Sequence, residues 1–163
     1  MLVTTSRKPS VLTKRFGRLL AKLLPFGLYE NRGKMNVAEV AARAYTLGKS
    51  RACIVHEMKG NPVSLVFMTA GDSWQWLSPE LYISKIKIAK ESPAHPCESI
   101  SIEGKMKREM ENLILPKSRE IEDEEAEVKL QADEEMISFT IDGKEILSMN
   151  VRYHERRAVE DES

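Results

Sequence analysis

Residues 4–34 read TTSRKPSVLTKRFGRLLAKLLPFGLYENRGK and superimpose an apolar helical pattern on a dense basic one. At 100° per residue, one side of a helix over residues 11–24 carries Leu12, Phe16, Leu19, Leu20 and Leu23. The opposite side carries a basic stripe of Lys14, Arg15, Arg18 and Lys22. The pattern predicts a helix that packs its leucines on a core and keeps the basic stripe in water.

Basic residues continue into the turns on both sides of this helix. Arg7 and Lys8 precede it, Arg32 and Lys34 follow it, and Glu30 is the single acid against eight basic side chains between residues 7 and 34. Cationic loop residues held on a rigid scaffold are common contacts to phosphate, and they bind by charge and shape rather than by reading a sequence. The predicted RNA-binding residues are Arg7, Lys8, Lys14, Arg15, Arg18, Lys22, Arg32 and Lys34.

Charge is distributed unevenly along a chain whose formal net charge is zero. Residues 1–60 contain 12 Lys and Arg against 3 Asp and Glu, a net +9, whereas residues 61–163 contain 13 against 22, a net −9. This asymmetry suits a protein that binds a polyanion on one face. The alternative is ordinary surface charge with an acidic tail.

The composition is that of one globular domain of 163 residues, with 42% hydrophobic and 31% charged residues. No apolar run reaches the roughly 18–20 residues of a membrane span, and the N-terminus lacks the apolar core of a secretion signal. Two cysteines, Cys53 and Cys97, do not make a disulfide framework. We therefore expect a cytoplasmic protein with no membrane partner.

The hydrophobic pattern predicts an α/β fold with a mixed sheet. The first 90 residues are expected to follow the order β-α-β-α-β-β-β, with strands at 2–5, 28–29, 52–59, 63–68 and within 74–89. Asn36 and Glu39 form the pattern of a capping box at the second helix. In the last strand, Tyr82, Ser84, Ile86 and Ile88 are expected on one face, with Lys85 and Lys87 on the other.

The later part of the chain predicts a short helix and an antiparallel meander. The helix is marked over 106–114, an acidic loop lies within 119–127, and Asp142-Gly143 predicts a hairpin between two alternating strands. The approximate halves of a single domain over 1–163 are thus 1–90, which is basic, and 98–153, which is acidic. Residues 154–163 are expected to be a frayed tail.

Catalytic and metal-binding motifs are weak in this sequence. Cys53, His56, His95 and Cys97 are of zinc-ligating types, but positions 53 and 56 would point to opposite faces of a strand, so Cys53 is better interpreted as a core residue. There is no GxSxG, P-loop, HExxH or GxGxxG pattern, and most carboxylates lie in acidic runs. We expect no enzyme, no cofactor, no metal and no small-molecule substrate.

Two alternatives stay open. A metal-dependent nuclease would draw its ligands from scattered Asp and Glu residues. Trp74 and Trp76 share one side of an extended segment, where they would either stack on unpaired bases or pack in the core.

Four segments resemble the Brix domain family of ribosome-biogenesis proteins. They are Thr5–Ser10 (TSRKPS), Arg15-Phe16, Asn31-Arg32-Gly33, and His56-Glu57 with Gly60-Asn61-Pro62. The resemblance covers residues 1–68, and the short form looks like the archaeal members. No motif of the family is recognisable after residue 68.

The resemblance implies two α/β halves, each similar to the anticodon-binding domain of class II aminoacyl-tRNA synthetases. It also implies binding of ribosomal RNA or pre-rRNA during ribosome assembly, together with ribosomal or assembly proteins and without catalysis. Carried onto this chain, the RNA-contacting positions are Arg7, Lys8, Arg15, Arg32 and Lys34. The positions that shape the loops are Ser6, Pro9, Asn31, Gly33 and Gly60.

The acidic second half departs from this pattern, because a negatively charged surface repels RNA. The alternative function is a protein–protein adaptor in ribosome assembly. In it, the acidic region from Glu120 to Glu135 would dock on a basic ribosomal protein.

Overall fold

A nine-stranded mixed sheet with three helices forms the frame of the protein in the computed structural model, which describes residues 1–115 and 126–156. The first section contains β1 (Leu2–Thr5), α1 (Val11–Leu23), β2 (Leu28–Tyr29), α2 (Val37–Thr46), β3 (Arg51–Met58), β4 (Asn61–Thr69) and β5 (Glu80–Ile88). The second section contains β6 (Ile100–Glu103), α3 (Lys107–Ile114), β7 (Val128–Ala132), β8 (Met136–Ile141) and β9 (Lys144–His154).

The strands lie in the order β2-β1-β3-β4-β5-β9-β8-β7-β6. β1 is parallel to β2 and β3, β6 is parallel to β7, and the remaining neighbours are antiparallel. The predicted α/β class is confirmed, and so is the predicted order β-α-β-α-β-β-β of the first section.

The two sections repeat one topology. In each, a crossover containing a helix joins two parallel strands, β1 to β3 and β6 to β7, and two antiparallel strands follow. The sections meet where β5 pairs antiparallel with β9. β2 and α2 have no counterpart among the described residues of the second section, which is therefore the simpler of the two.

The helices divide between the two faces of the sheet. α1 and α3 pack on one face, in a core that includes Phe16, Leu81, Leu113 and Leu130. α2 packs on the other face through small side chains, in a separate cluster with Ile54 and its neighbours. None of the three described helices is long and apolar enough to cross a membrane.

Helix boundaries follow the predicted caps closely. Asn36 and Glu39 form the expected capping box at α2. Ser10 caps α1 by accepting a hydrogen bond from the Thr13 amide, so Pro9 precedes the cap rather than standing in the first turn. Leu12 was expected in the core but is 42% exposed, whereas the neighbouring Thr13 is fully buried and its hydroxyl bonds to Glu57.

The face assignment predicted for β5 is wrong in its first half and right in its second. Tyr82 and Ser84 are exposed rather than on the face of Ile86 and Ile88, whereas Lys85 and Lys87 are exposed as predicted. Leu81 and Ile83 are buried and Tyr82 is 45% exposed, the arrangement of an ordinary strand. At Lys85 the backbone takes a φ of 48° and the register to β9 shifts, so Ile86 returns to the core side. A bulge inverts the alternation of faces beyond it, which a strict period of two cannot anticipate.

The second section contains a strand that the sequence did not predict. β6 has four residues and lies at the edge of the sheet, parallel to β7. A run this short carries little periodic signal. The acidic loop was predicted within 119–127 and the frayed tail over 154–163. Residues 119–125 of the loop and 157–163 of the tail lie outside the described residues.

Candidate nucleic-acid interface

The turns after β1 and β2 lie at one edge of the sheet, where the carboxyl ends of these parallel strands meet. β1 leads into α1 on one face, and β2 leads into α2 on the other. Such a change of face opens a crevice beyond the strand ends, a frequent position of ligand sites in α/β proteins. Arg7 and Lys8 follow β1, and Arg32 and Lys34 follow β2, so four of the predicted site residues come to this edge.

The Arg32 side chain holds together the two turns at this edge. Its side chain is buried, its Nε–H donates to the Met35 carbonyl at 2.7 Å, and its Nη1 donates to the Thr5 carbonyl at 3.1 Å. Burial, followed by the nearby charge of Arg7, lowers the pKa of the Arg32 guanidinium. Arg32 therefore joins the turns after β1 and β2, and does not extend freely into solvent as a loop arginine was expected to do.

Arg7, Lys8 and Lys34 are exposed at the same edge. The Arg7 guanidinium lies 3.5 Å from the Met35 carbonyl, at the outer limit of a hydrogen bond, so the Arg7 and Arg32 side chains converge on one oxygen. Within the described part of the chain, these three side chains make no hydrogen bond or salt bridge besides this long contact of Arg7.

Several of the predicted loop-shaping residues fix the conformation of the turns. Gly33 and Gly60 have φ values of 55° and 79°, which glycine adopts without steric cost. The Ser6 amide donates to the Val55 carbonyl at 2.8 Å, which fixes the exit of β1 against β3. Pro9 is half-buried and Asn31 is exposed.

A hydrogen-bond network fixes the start of α1 against the β3–β4 turn. The Ser10 hydroxyl donates to the Gly60 carbonyl at 2.7 Å, and the Ser10 amide donates to Glu57 Oε2 at 3.0 Å. The Thr13 hydroxyl also donates to Glu57 Oε2. These hydrogen bonds, from Thr13 first and Ser10 next, lower the pKa of the Glu57 carboxyl. Two of the segments that carry the family resemblance are thus in direct contact.

The basic stripe of α1 faces solvent as predicted. Arg15 and Arg18 are exposed, and Lys14 and Lys22 are half-buried. The Arg18 guanidinium lies 5.3 Å from the centroid of the Tyr29 ring, within the range of a cation–π contact. Tyr29 also packs against Gly17, whose missing side chain leaves room for the ring.

Three cations of the stripe meet a fourth that the sequence pattern did not single out. Arg15, Arg18, Lys22 and Lys90 line a cleft of about 220 Å³ between α1 and the end of β5, which we call the cationic cleft. No carboxylate of the described residues forms a salt bridge with any of the four. Lys90 was missed because it lies 68 residues beyond Lys22 in sequence, and only the pairing of the strands brings the two together.

The other sequence candidates fall elsewhere. Cys53 is completely buried on the α1 side of β3, and burial raises the pKa of its thiol. Within residues 1–115 and 126–156, no three His, Cys, Asp or Glu side chains gather in a way that would hold a metal ion. Trp74 and Trp76 are partly buried in edge-to-face contact at 5.3 Å, and the Arg156 guanidinium lies 4.2 Å from the Trp76 ring centroid. Of the two interpretations of these tryptophans, base stacking and packing within the protein, the structure shows the second.

Sequence comparison relates the chain to archaeal proteins. No protein-family model matches it. Over 92 residues it is 37% identical to a probable Brix domain-containing ribosomal biogenesis protein of Pyrococcus abyssi, a match that covers 56% of this chain and 41% of that relative. The match thus spans less than half of the length of this curated relative. It confirms the Brix resemblance recognised in the sequence.

Structural comparison extends over nearly the whole chain. A probable ribosomal biogenesis protein from Aeropyrum pernix K1 superimposes with a TM-score of 0.78 at 20% identity, covering 98% of each chain. The archaeal Imp4-like protein Mil superimposes with a TM-score of 0.70 at 21% identity, covering 96% of this chain and 100% of Mil. These two neighbours share the fold described above, including its second section.

Proposed function

We propose, starting from the similarity to an archaeal Brix domain-containing ribosomal biogenesis protein, that this chain is a ribosome-assembly factor. It binds ribosomal RNA or pre-rRNA in the cytoplasm, by charge and shape, without catalysing a reaction and without a cofactor. The single observation that carries the proposal is the cationic cleft, where four positive side chains converge from α1 and the end of β5 without carboxylate partners among the described residues.

The geometry suits a phosphate backbone better than a small anion. α1 has 13 residues, a length of about 20 Å, so its basic stripe offers a row of charges rather than a single pocket. The start of α1 follows the turn that carries Arg7 and Lys8, and we assign these two residues and Lys34 to the same RNA contact. Tyr29 beside Arg18 restricts that guanidinium and so reduces the entropy lost on binding.

We assign Arg32 a structural role rather than a direct contact with RNA. Because two of its donors are already engaged by backbone carbonyls, we assign it to holding the turns that present Arg7 and Lys34. Ser10 and Glu57 act similarly, by fixing the direction in which α1 and its stripe leave the edge.

The test is a salt titration of RNA binding with two triple variants of equal charge. The cleft variant is Arg15→Gln, Lys22→Gln and Lys90→Gln. The control variant is Lys105→Gln, Lys129→Gln and Lys144→Gln, three exposed lysines of the second section. Fluorescence anisotropy with a labelled single-stranded RNA and with an RNA duplex measures the affinity of each.

We expect the cleft variant to weaken binding at least about tenfold near 0.1 M salt and to reduce the slope of log K against log salt by about 2, which corresponds to about 0.7 per lost phosphate contact. The control variant should change the affinity by less than about threefold, since its charges lie outside the cleft. Equal losses in both variants would show that only net charge matters and would refute the cleft. An unmodified chain that does not bind RNA would refute the function.

The link to ribosome assembly is tested separately by crosslinking the full chain to RNA in cells and sequencing the attached fragments. Ribosomal RNA and its precursors should be enriched over messenger and transfer RNA. The cleft variant should lose this enrichment.

A further inference from the structure

We infer that the gap between β4 and β5, beside the first half of α1, is a docking site for an extended acidic and apolar segment of a partner protein. The first observation is that β4 and β5 separate. They pair only at Ser64 with Tyr82 and at Leu65 with Leu81. β5 nevertheless continues to pair with β9 as far as Ile88. From Ile83 onward, no strand of the described residues pairs with the edge of β5 that faces β4, and this open edge lies in the middle of the sheet.

The bulge at Lys85 makes this open edge apolar. Because it inverts the alternation of faces, Ile83 before it and Ile86 and Ile88 after it all lie toward α1. The resulting groove has a volume of about 480 Å³. Its apolar lining residues are Leu12, Phe16, Pro62, Val63, Ile83, Ile86 and Ile88.

The exposure of α1 agrees with an uncovered surface. Leu12 lines the groove and is 42% exposed, although a leucine at this position of an amphipathic helix was expected in the core. Apolar side chains arranged around an open strand edge are typical of sites where a peptide adds a strand, with its backbone bonded to the edge and alternate side chains in the groove. Pro62 has no N–H to donate on the β4 side, so the β5 edge is the side that would pair with the added strand.

The charge at the groove selects the chemistry of the partner. Arg15 and Lys85 line it, and no carboxylate of the described chain forms a salt bridge with either. A segment that alternates apolar and acidic side chains complements both the apolar lining and these cations. RNA fits less well, because most of the lining is apolar and offers nothing to a phosphate backbone. Base stacking would need an exposed aromatic face, and the one aromatic ring in the lining, Phe16, is fully buried.

The inference goes beyond the proposed RNA-binding function and does not depend on it. The probe is a fluorescein-labelled peptide of about 11 residues in which glutamate alternates with valine and isoleucine, a length that spans the open edge with residues to spare. Lysine replaces glutamate in the control peptide. The full chain is compared with Leu12→Glu, in the groove, and with Val11→Glu, which is 84% exposed and lies outside the groove lining.

We expect the acidic peptide to bind at least about tenfold more tightly than the lysine peptide, and Leu12→Glu to weaken its binding about tenfold while Val11→Glu changes it less than about twofold. Hydrogen exchange should show protection of residues 83–88 when the acidic peptide is bound. Absence of this protection at saturating peptide, or equal effects of the two helix variants, would overturn the inference.

Two other occupants are distinguished by the same variants. If RNA rather than peptide protects residues 83–88, and Leu12→Glu weakens RNA binding as strongly as the cleft variant does, the groove is part of the RNA site. If sedimentation shows that the unmodified chain is a dimer and Leu12→Glu dissociates it, a second copy fills the groove. Either result overturns the assignment to a partner protein. If the unmodified chain binds the acidic peptide but not RNA, the proposed RNA-binding function is refuted and the inference about the groove is supported.

Discussion

The Ser10 hydroxyl donates a hydrogen bond of 2.7 Å to the carbonyl of Gly60, although 50 positions separate the two residues in the chain. Ser10 also caps α1 through the Thr13 amide, and its own amide donates to Glu57. The direction of α1 is therefore set by the turn between β3 and β4. Since α1 carries the basic stripe, this turn also determines where the stripe lies.

The first prediction concerns the coupling between Ser10 and Glu57. Ser10→Ala and Glu57→Ala should each reduce the free energy of unfolding by about 1–2 kcal/mol, because each removes a helix cap or the charged acceptor that supports it. The double variant should lose less than the sum by at least about 0.5 kcal/mol, since the Ser10 hydroxyl and the Glu57 carboxylate both bond to the Thr13 hydroxyl and each change weakens the bonds that remain. Urea unfolding of the four proteins measures the coupling. Glu39→Ala, in the separate capping box of α2, should be additive with Ser10→Ala, and additivity of Glu57→Ala would contradict the network.

The second prediction separates Arg7 from Arg32. Arg32→Ala should reduce the free energy of unfolding by about 1–3 kcal/mol, because it leaves the buried Thr5 carbonyl without this donor and the part-buried Met35 carbonyl with only the long contact to Arg7. Arg32→Lys should recover little of this loss, since one ammonium group does not reproduce the fork that reaches both oxygens. Arg7→Ala should change stability by less than about 0.5 kcal/mol, as is usual at an exposed position. Thermal and urea unfolding check both, and equal stabilities of the two alanine variants would contradict the structural role of Arg32.

The sequence predicted the parts of this fold that depend on local pattern. The 3.6-residue period placed α1, and the spacing of Asn36 and Glu39 placed the start of α2, because both are set by contacts within one or two turns. The orientation of the basic stripe also followed from the period. The grouping of Arg7, Arg32 and Lys34 into one basic region came from the charge pattern on both sides of α1, and the family resemblance pointed to the same turns.

What the sequence missed depends on strand pairing. In the sequence, Arg32 lies in a turn where an exposed arginine that contacts phosphate is expected. Only the pairing of β1 with β2 shows that its side chain is buried between two backbone carbonyls. Lys90 joins the cationic cleft because β5 lies where it does in the sheet. The open edge of β5 follows from its early separation from β4, and its apolar lining follows from the bulge at Lys85. A positive φ at a lysine cannot be predicted from the residue type.

The third prediction concerns His56 and acid sensitivity. Burial first, and then the charges of Arg32 and Arg156, lower the pKa of His56 in the folded protein. The unfolded chain therefore binds more protons between this lowered pKa and the ordinary value of about 6.5, so that stability should fall as the pH drops below about 6.5 toward the folded value. Urea unfolding at a series of pH values between about 7.5 and 5.5 measures the slope, in a window above the ordinary carboxylate pKa values.

The variant His56→Gln removes the titrating group, and its stability should depend less on pH in that window. His95→Gln, at an exposed position, is the matched control and should keep the slope of the unmodified protein. An unchanged slope in His56→Gln would mean that another group carries the acid sensitivity.

The last prediction tests the edge strand that the sequence did not reveal. Gly104 follows β6 with a φ of 104°, and a Cβ atom built there would lie 2.2 Å from the Ala132 carbonyl oxygen at the end of β7. Gly143 has a φ of 76° in the hairpin between β8 and β9, with no atom within 4 Å of its Cβ position. Both alanine variants incur backbone strain of about 1 kcal/mol, but Gly104→Ala must also separate β6 from β7 and should lose about 2 kcal/mol more. Urea unfolding gives the two values, and hydrogen exchange should show weakened protection of residues 100–103 in Gly104→Ala alone. If the two variants lose equal stability, β6 and the turn after it do not pack against Ala132 as described.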